Sequence, residues 1–546
     1  MLINKIIRNS IVLLFLLVQI NAQAQTVFES HHSEVYPYLY RMAQKGLINF
    51  QDIIRPISRM QISNALDSLN SKQAQLSKIE KDELAFYLQE FRPIEGGDDD
   101  KFQFMKKDPN QRPRLLFINN KNFQLNADPF VSFMQVSGSG KQFRRVGNGI
   151  NFWGQSKRFA FQFSYRDFAE QGRGMDTFRS ESPETGIILL NNTGVNSRTF
   201  NVIKTNISYT WKNGSISVGN NHLLWGYGEN GRIVLSDRAP IQPYIRFDYS
   251  PFKWLQFNYA HTWLNSNIVD SNASYRYNGG GAAGDFRVQF IPKYMATHSL
   301  IFTPLKGLDI AVGESIVYSD KMDIGFLIPI NFFKIYDNNR SVYNINAGSN
   351  GQFFGQISSR NHLKNTHLYG SIFIDEIRIS SIFNSQKSRN QLGYTLGASV
   401  TDAFVHYLTL GAEYTRVNKF VYNNLLPAQN YTQFDYPLGD WMGNNFDRLT
   451  LTAKYTPLPR LRTYLRMQHI RKGGPGTVFD QYNAEPQPRF LSDFQKTRTD
   501  YFFQVSYEWI NNLYFTGSYQ FLKQTLANGA KANNTTIQIG MSYGLR

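Results

Sequence analysis

Three glycines, Gly226, Gly228 and Gly231, form a G-x-G-x-x-G inside WGYGENGRIVLSDRAP, which runs from Trp225 to Pro240. That spacing cradles a pyrophosphate when a strand precedes it and a helix opens at the third glycine. Here Ile233-Val234-Leu235 follows, then Pro240 and Pro243, a run that does not open a helix. The glycines are therefore read as backbone that takes positive φ or passes very close to another segment. Other reactive spacings are as sparse. The nine histidines include no H-E-x-x-H and no paired zinc spacing, so no metal site and no cofactor are expected. His31-His32 is expected to be exposed. No G-x-S-x-G seats a nucleophilic serine. Asp375 and Glu376 are adjacent, so on a strand they point to opposite faces and cannot act as a paired acid and base. Asp98-Asp99-Asp100 has the oxygens for calcium but reads first as a solvated linker. The expectation is a protein that is not an enzyme.

Binding chemistry is better represented. Sugars are held by aromatic faces against C–H surfaces, with Asp, Asn and Arg on hydroxyls and Arg pairing with anionic groups. The glycine-containing loop offers Trp225, Tyr227, Arg232, Asp237 and Arg238. A second loop, Val417 to Asn445, offers Tyr431, Tyr436 and Trp441 beside Tyr422, Phe434, Asp435 and Asp440. For each aromatic the competing role is loop packing. For Trp225 and the Asp237-Arg238 pair it is closure of an opening.

These loops must be carried by something. Lys5 and Arg8 precede an apolar run from Ile11 to Ile20 and then Ala22-Gln23-Ala24, so a signal peptide is expected over residues 1–24. Residues 25–95 read as a small helical bundle. Glu34 to Lys45 has helical apolar spacing stopped at Gly46, and Ser58-x-x-Gln61 and Ser77-x-x-Glu80 have the form of capping boxes. Residues 96–121 read as a linker. From 122 to 546 the period becomes two, as in Phe159, Phe161, Phe163 and Tyr165, or Leu449, Leu451, Ala453 and Tyr455. About eighteen such segments are separated by alternating short turns and long loops, the asymmetry of an outer-membrane barrel. An even strand count places both ends of the barrel, and the bundle, on the short-turn side. One turn recurs as Ser250-Pro251-Phe252-Lys253, Thr303-Pro304-Leu305-Lys306 and Thr456-Pro457-Leu458-Pro459. Arg460, Arg462 and Arg466 are expected to line the lumen, because an arginine in mid-bilayer costs about 2–4 kcal/mol. The expected fold class is a mainly β, transmembrane antiparallel barrel with a periplasmic helical bundle at its amino end.

The 546 residues contain 31 Tyr and 43 Phe, no cysteine and a net charge of +17. Aromatics in that number suit membrane girdles. The absence of cysteine removes disulfides and lipidation at a mature Cys. The basic balance suits lipopolysaccharide phosphates or acidic sugars as partners, or equally a cationic lumen lining with ordinary solvation; no nucleic-acid partner is expected.

The stretch from Gly219 through Trp225-Gly226-Tyr227-Gly228 to Ser236-Asp237-Arg238-Ala239-Pro240, Pro243 and Arg246 resembles the signature of the Wzi-like capsule assembly family. Gln352 to Gly355 with Leu368 to Glu376 resembles a second strand motif of that family. Tyr36, Leu39, Gly46-Leu47, Arg55 to Arg59 and Leu66 resemble its amino-terminal bundle. The resemblance implies an outer-membrane barrel that retains capsular or exopolysaccharide at the surface, with envelope proteins as possible partners at the bundle. It also includes RemB-like members, which imply surface adhesion or gliding motility as the alternative role; a solute channel and a hydrolase are the remaining ones. The chain departs from the common pattern in ending at Arg546, where such barrels commonly end on an aromatic residue.

Overall fold

The period-two segments form one antiparallel sheet that closes into an 18-strand ring. This computed structural model describes residues 27–94, 101–194, 196–277, 286–343, 348–376, 384 and 389–544. The signal peptide, the Gly96–Asp100 stretch with its aspartates, and Arg546 lie outside the described residues.

The first ring strands are β1 Gln124–Gly138, β2 Lys141–Ser156, β3 Phe159–Arg173, β4 Ser197–Trp211, β5 Gly214–Asn221 and β6 Gln242–Phe252. Next are β7 Leu255–Val269, β8 Phe290–Leu305, β9 Leu308–Ser319, β10 Asn350–Arg360, β11 Thr366–Glu376 and β12 Gln391–Thr401. The last are β13 Leu408–Val417, β14 Phe446–Leu458, β15 Leu461–Gly473, β16 Phe494–Ile510, β17 Leu513–Leu526 and β18 Lys531–Tyr543. β18 pairs back onto β1, from Thr536 opposite Gly138 to Tyr543 opposite Val131. Closure leaves the ring no open edge to template aggregation.

Alternation gives each strand one outward apolar side. Phe133, Ile207, Val218, Val312, Ile357, Leu396, Leu451, Leu465 and Ile539 belong to a belt of exposed apolar side chains around the ring. Soluble proteins rarely expose more than a few hundred Å² of contiguous apolar surface. A belt that encircles the molecule is matched by lipid acyl chains. At the short-turn rim, Tyr209, Trp211, Phe247 and Tyr249 run in ring contact, and Phe252 stacks on Trp254 at 5.3 Å. Among the described residues no helix is long and apolar enough to cross a membrane.

The recurring turn collapses to two residues each time, at 253–254, 306–307 and 459–460. The strict alternation of short and long connections fails twice. On the long-loop side β1 joins β2 through 139–140, and β17 joins β18 through 527–530. The stretch read as a linker also contains a hairpin, Lys101–Lys107 with Pro113–Asn119, whose second strand pairs with β1 from Leu116–Ala127 to Asn119–Gln124. Its residues alternate as the ring strands do, but the Pro-Asn turn between them reads as loop in sequence.

Three helices fill the short-turn opening: α1 Val35–Gln44, α2 Arg59–Asn70 and α3 Lys78–Phe91. Ser77 and Glu80 form the full capping box of α3. At α2 only half of the box forms: Ser58 accepts from the Gln61 amide, while the Gln61 side chain donates to Gln51 O. The bundle has its own core around Tyr36, Leu39, Ile62, Leu66 and Leu84. It is tied to the ring by buried polar contacts. Gln44 donates to Asn365 O and Ser399 O, Lys45 pairs with Asp402, Arg246 donates to Pro56 O, and Arg114 pairs with Glu90. Burial alone would raise the Glu90 carboxyl, but Arg114, Arg59 and Arg112 around it prevail and hold it at about 2.

One long loop leaves the lumen altogether. After β9, residues 324–327 and the helix α4, Phe333–Tyr343, fold back over the outer wall of β7–β9. There Phe326 and Phe333 pack on the outward-facing Tyr259, Ile316 and Tyr318. Outward Glu314 accepts from the Phe333 amide at 2.6 Å and lies 3.2 Å from His298, whose other nitrogen donates to Pro329 O. A carboxylate and an imidazole that would otherwise face lipid are thereby covered, and the cover exposes Ile324, Ile330, Phe332, Ile335 and Val342 instead.

Candidate functional site

The segment after β5 turns into the barrel and crosses the lumen. Leu224-Trp225 makes a two-residue antiparallel pairing with Ile54-Arg55 of the amino-terminal segment, and the Gly226 amide donates to Ile53 O at 2.8 Å. Trp225 meets Phe354 of β10 edge-on at 5.7 Å. The chain then doubles back, so that the Trp225 amide donates to Leu235 O. Tight doubling explains the glycines. A Cβ on Gly228 would lie 1.7 Å from Gly231 O. Gly231 itself has φ +150, and a Cβ there would lie 2.3 Å from an Asp440 carboxylate oxygen. The loop is therefore deeper than a cover over the mouth: it meets the amino-terminal segment inside the ring.

A second loop, 418–445, clamps it from above. Tyr422 Oη donates to Ile233 O at 2.7 Å, Tyr431 Oη to Val234 O at 2.8 Å, and Ser236 Oγ to Gly439 O at 2.5 Å. Trp441 Nε1 donates to Asn230 O. Asp440 and Arg448 form a two-pronged pair at 3.0 and 2.7 Å with no exposure at either side chain. A third loop joins at Arg238, which donates to Glu184 O and Arg179 O and lies over the Tyr436 ring at 4.8 Å.

Below these loops and above the bundle lies a cavity of about 610 Å³. Its walls are α1, the loop residues Tyr227 to Arg232, and the inward faces of β10 to β16. Arg41, Arg55, Arg232, Arg360, Lys454, Arg462 and Arg466 line it against Glu34, Asp52, Glu83 and Glu229, with Tyr38, Tyr40, Tyr227, Tyr369, Tyr407 and Tyr464 between. Asp52 is the node. It accepts from Tyr227 Oη at 2.6 Å, Arg360 Nη2 at 2.7 Å and Arg55 Nη2 at 3.0 Å. Burial would raise this carboxyl, but Arg360 and Arg55 bring it to about 2. Arg232 makes a backbone bond to Gly226 O, and burial lowers its guanidinium pKa.

The candidate binding residues therefore separate into two groups. Tyr227 and Arg232 reach the cavity. Trp225, Arg238, Tyr431, Tyr436 and Trp441 are all under 10 % exposed and are spent on interlocking the loops. Asp237 is bonded to His31 at 3.1 Å. Of the three expected lumen arginines, Arg462 and Arg466 line the cavity, Arg462 gripping Glu34 and Glu83 of the bundle. Arg460 does not. It occupies the turn at φ +66, donates to Trp509 O and lies over Phe86 of α3, because the strand begins one residue later. The exposure expected of His31-His32 holds for His32 but not for His31, whose side chain is 5 % exposed. Asp375 turns inward to accept from Tyr422 N, and Glu376 turns away. Sequence reading missed Asp52, Arg360, Tyr369 and Lys454, which carry no local motif and meet only through ring closure.

A closed, belted ring with a bundle in one opening and loops folded into its lumen defines a plugged membrane-type β-barrel. The family model for the capsule assembly protein Wzi matches residues 134–536, and the chain belongs to that family. Among solved structures it is similar to Wzi of Escherichia coli, an outer-membrane protein involved in group 1 capsule assembly and a carbohydrate-binding β-barrel. That similarity has a TM-score of 0.59 at 13 % identity and covers 95 % of this chain and 99 % of that one. OprD of Pseudomonas aeruginosa is more distant, with TM-score 0.41 and 10 % identity over 83 % of this chain and 97 % of that one. OccK3 of the same organism has TM-score 0.41 and 10 % identity, with 77 % and 95 % covered. No curated protein matches the chain.

Proposed function

We propose that this barrel sits in the outer membrane, its bundle at the periplasmic opening, and retains capsular or exopolysaccharide at the cell surface without turning it over. Membership of a capsule assembly family supports the role, and the carbohydrate binding of E. coli Wzi supports the ligand class. The observation that carries it is the filled lumen: three loops locked by buried bonds over a bundle salt-bridged to the wall favour holding over conduction. Anionic sugar is the preferred chemistry, because Arg232 faces the cavity among tyrosines with only a backbone bond to Gly226 O, while Lys454 and Arg466 beside it are paired with Glu229 and Asp500.

The test is binding of capsule fragments to detergent-purified protein, with loss of the gene compared in cells. Released polysaccharide with undiminished synthesis is the expected phenotype. Arg232→Ala should weaken binding of anionic fragments, whereas Trp441→Ala should lower stability as well. Unchanged surface retention without the protein overturns the proposal, and so does ion conductance through the purified barrel with residues 27–94 in place.

A further inference from the structure

The signature loop meets the amino-terminal segment at a second place, bordering the cavity, which His32 also lines. There His31, His32 and Asp237 bring one ring nitrogen each and a carboxylate oxygen to within 4.8 Å of one another. His31 Nε2 already lies 3.1 Å from Asp237 Oδ2. His222, at the start of the same loop, packs edge-on against His31 with ring centroids 5.5 Å apart. Its Nε2 bonds Ala239 O, and its buried Nδ1 has no partner among the described residues. Beside the cluster lies a cavity of about 490 Å³ lined by His31, His32, Tyr36, Tyr40 and Arg55.

We infer that His31, His32 and Asp237 form a binding site for a divalent transition-metal ion of the zinc type, which pins the amino-terminal segment to the signature loop. Two imidazoles and one carboxylate, with a fourth position open to a cavity, are a donor set that zinc accepts and that calcium and magnesium, which favour all-oxygen shells, do not. Zinc holds such ligands at about 2.0–2.2 Å, which places them about 3.5 Å apart. The His31–Asp237 separation already meets that spacing, so a rotation of exposed His32 by about 1 Å completes the triad. Moving the His31 ring proton to Nδ1 presents Nε2 to a metal. Lys204 on β4 interacts electrostatically with both Asp237 and His31, and its protonated form opposes an incoming cation.

The experiment uses the full mature chain without a polyhistidine tag, stripped with chelator and titrated with zinc by calorimetry. One equivalent should bind, and magnesium should give no heat. His31→Ala and Asp237→Asn should each weaken zinc by more than about tenfold. Lys204→Met should tighten it, a direction that loss of fold cannot mimic. His362→Ala, in a distant turn, should change nothing. Saturable binding that survives both His31→Ala and Asp237→Asn overturns the inference, as does the absence of one-equivalent binding at 0.1 mM zinc, a level of about 10⁻⁴ M well above what zinc sites need. Should His31→Ala fail to fold, the near-isosteric Asp237→Asn decides alone.

Discussion

Replacing Asp52 by asparagine removes one charge from the point where the amino-terminal segment, β10 and the signature loop meet. Its carboxylate is 1 % exposed and accepts three bonds, from Tyr227, Arg360 and Arg55. The carboxyl stands at about 2 against an ordinary 3.8, a difference worth about 2 kcal/mol at neutral pH. Leaving Arg55 and Arg360 without their counter-charge adds to this, since breaking a buried pair typically costs about 3–5 kcal/mol. The ring, closed by its own hydrogen bonds, does not depend on Asp52. The loss should therefore appear as local opening of the bundle and not as unfolding of the barrel.

Hydrogen exchange at neutral pH separates the two. At a loss of about 3 kcal/mol, amides of residues 47–58 and 223–228 should exchange about a hundredfold faster in Asp52→Asn, with β14 to β17 unchanged. The pH dependence is a second reading. A depressed carboxyl contributes fully above its unfolded value of 3.8 and loses its contribution as the pH falls through about 2. After correction for intrinsic rates, the wild type should lose bundle protection between about pH 4 and pH 2, while the Asp52 share of that loss is missing from the variant. Equal protection in the two proteins, or equal losses in bundle and strands, would refute the reasoning.

Gly231→Ala should destabilise the clamped loops by about 1–3 kcal/mol, because its backbone is at φ +150 and the new methyl meets Asp440; faster proteolytic nicking within 418–445 would show it. Arg448→Met should cost about 3–5 kcal/mol by leaving Asp440 buried and unpaired, and adding Asp440→Asn should recover much of it, as followed by Trp441 fluorescence in denaturant. Glu314→Ala should loosen the outer-wall segment by about 1 kcal/mol through loss of the bond to the Phe333 amide, read as faster tryptic cutting after Lys334 and Arg340.

The ring was legible because its signal is repeated: alternation in some eighteen segments, with recurring Pro-containing turns, constrains topology even where single strands are ambiguous. The α3 cap was equally plain, since Ser77 and Glu80 act through neighbouring backbone. What could not be read was depth. A loop rich in Trp, Tyr and Arg has the same composition whether it waits for sugar in water or packs into a lumen, and only the Ile54–Trp225 and Tyr431–Val234 bonds decide between these fates. Loop aromatics are therefore weak pointers to a ligand in a barrel wide enough to swallow its own loops, where the same rings supply the apolar mass that fills the space. The better pointer is a cationic side chain left facing a cavity without a carboxylate partner after that packing is complete, Arg232 here, because a ring interior filled for stability alone would favour an apolar group in its place.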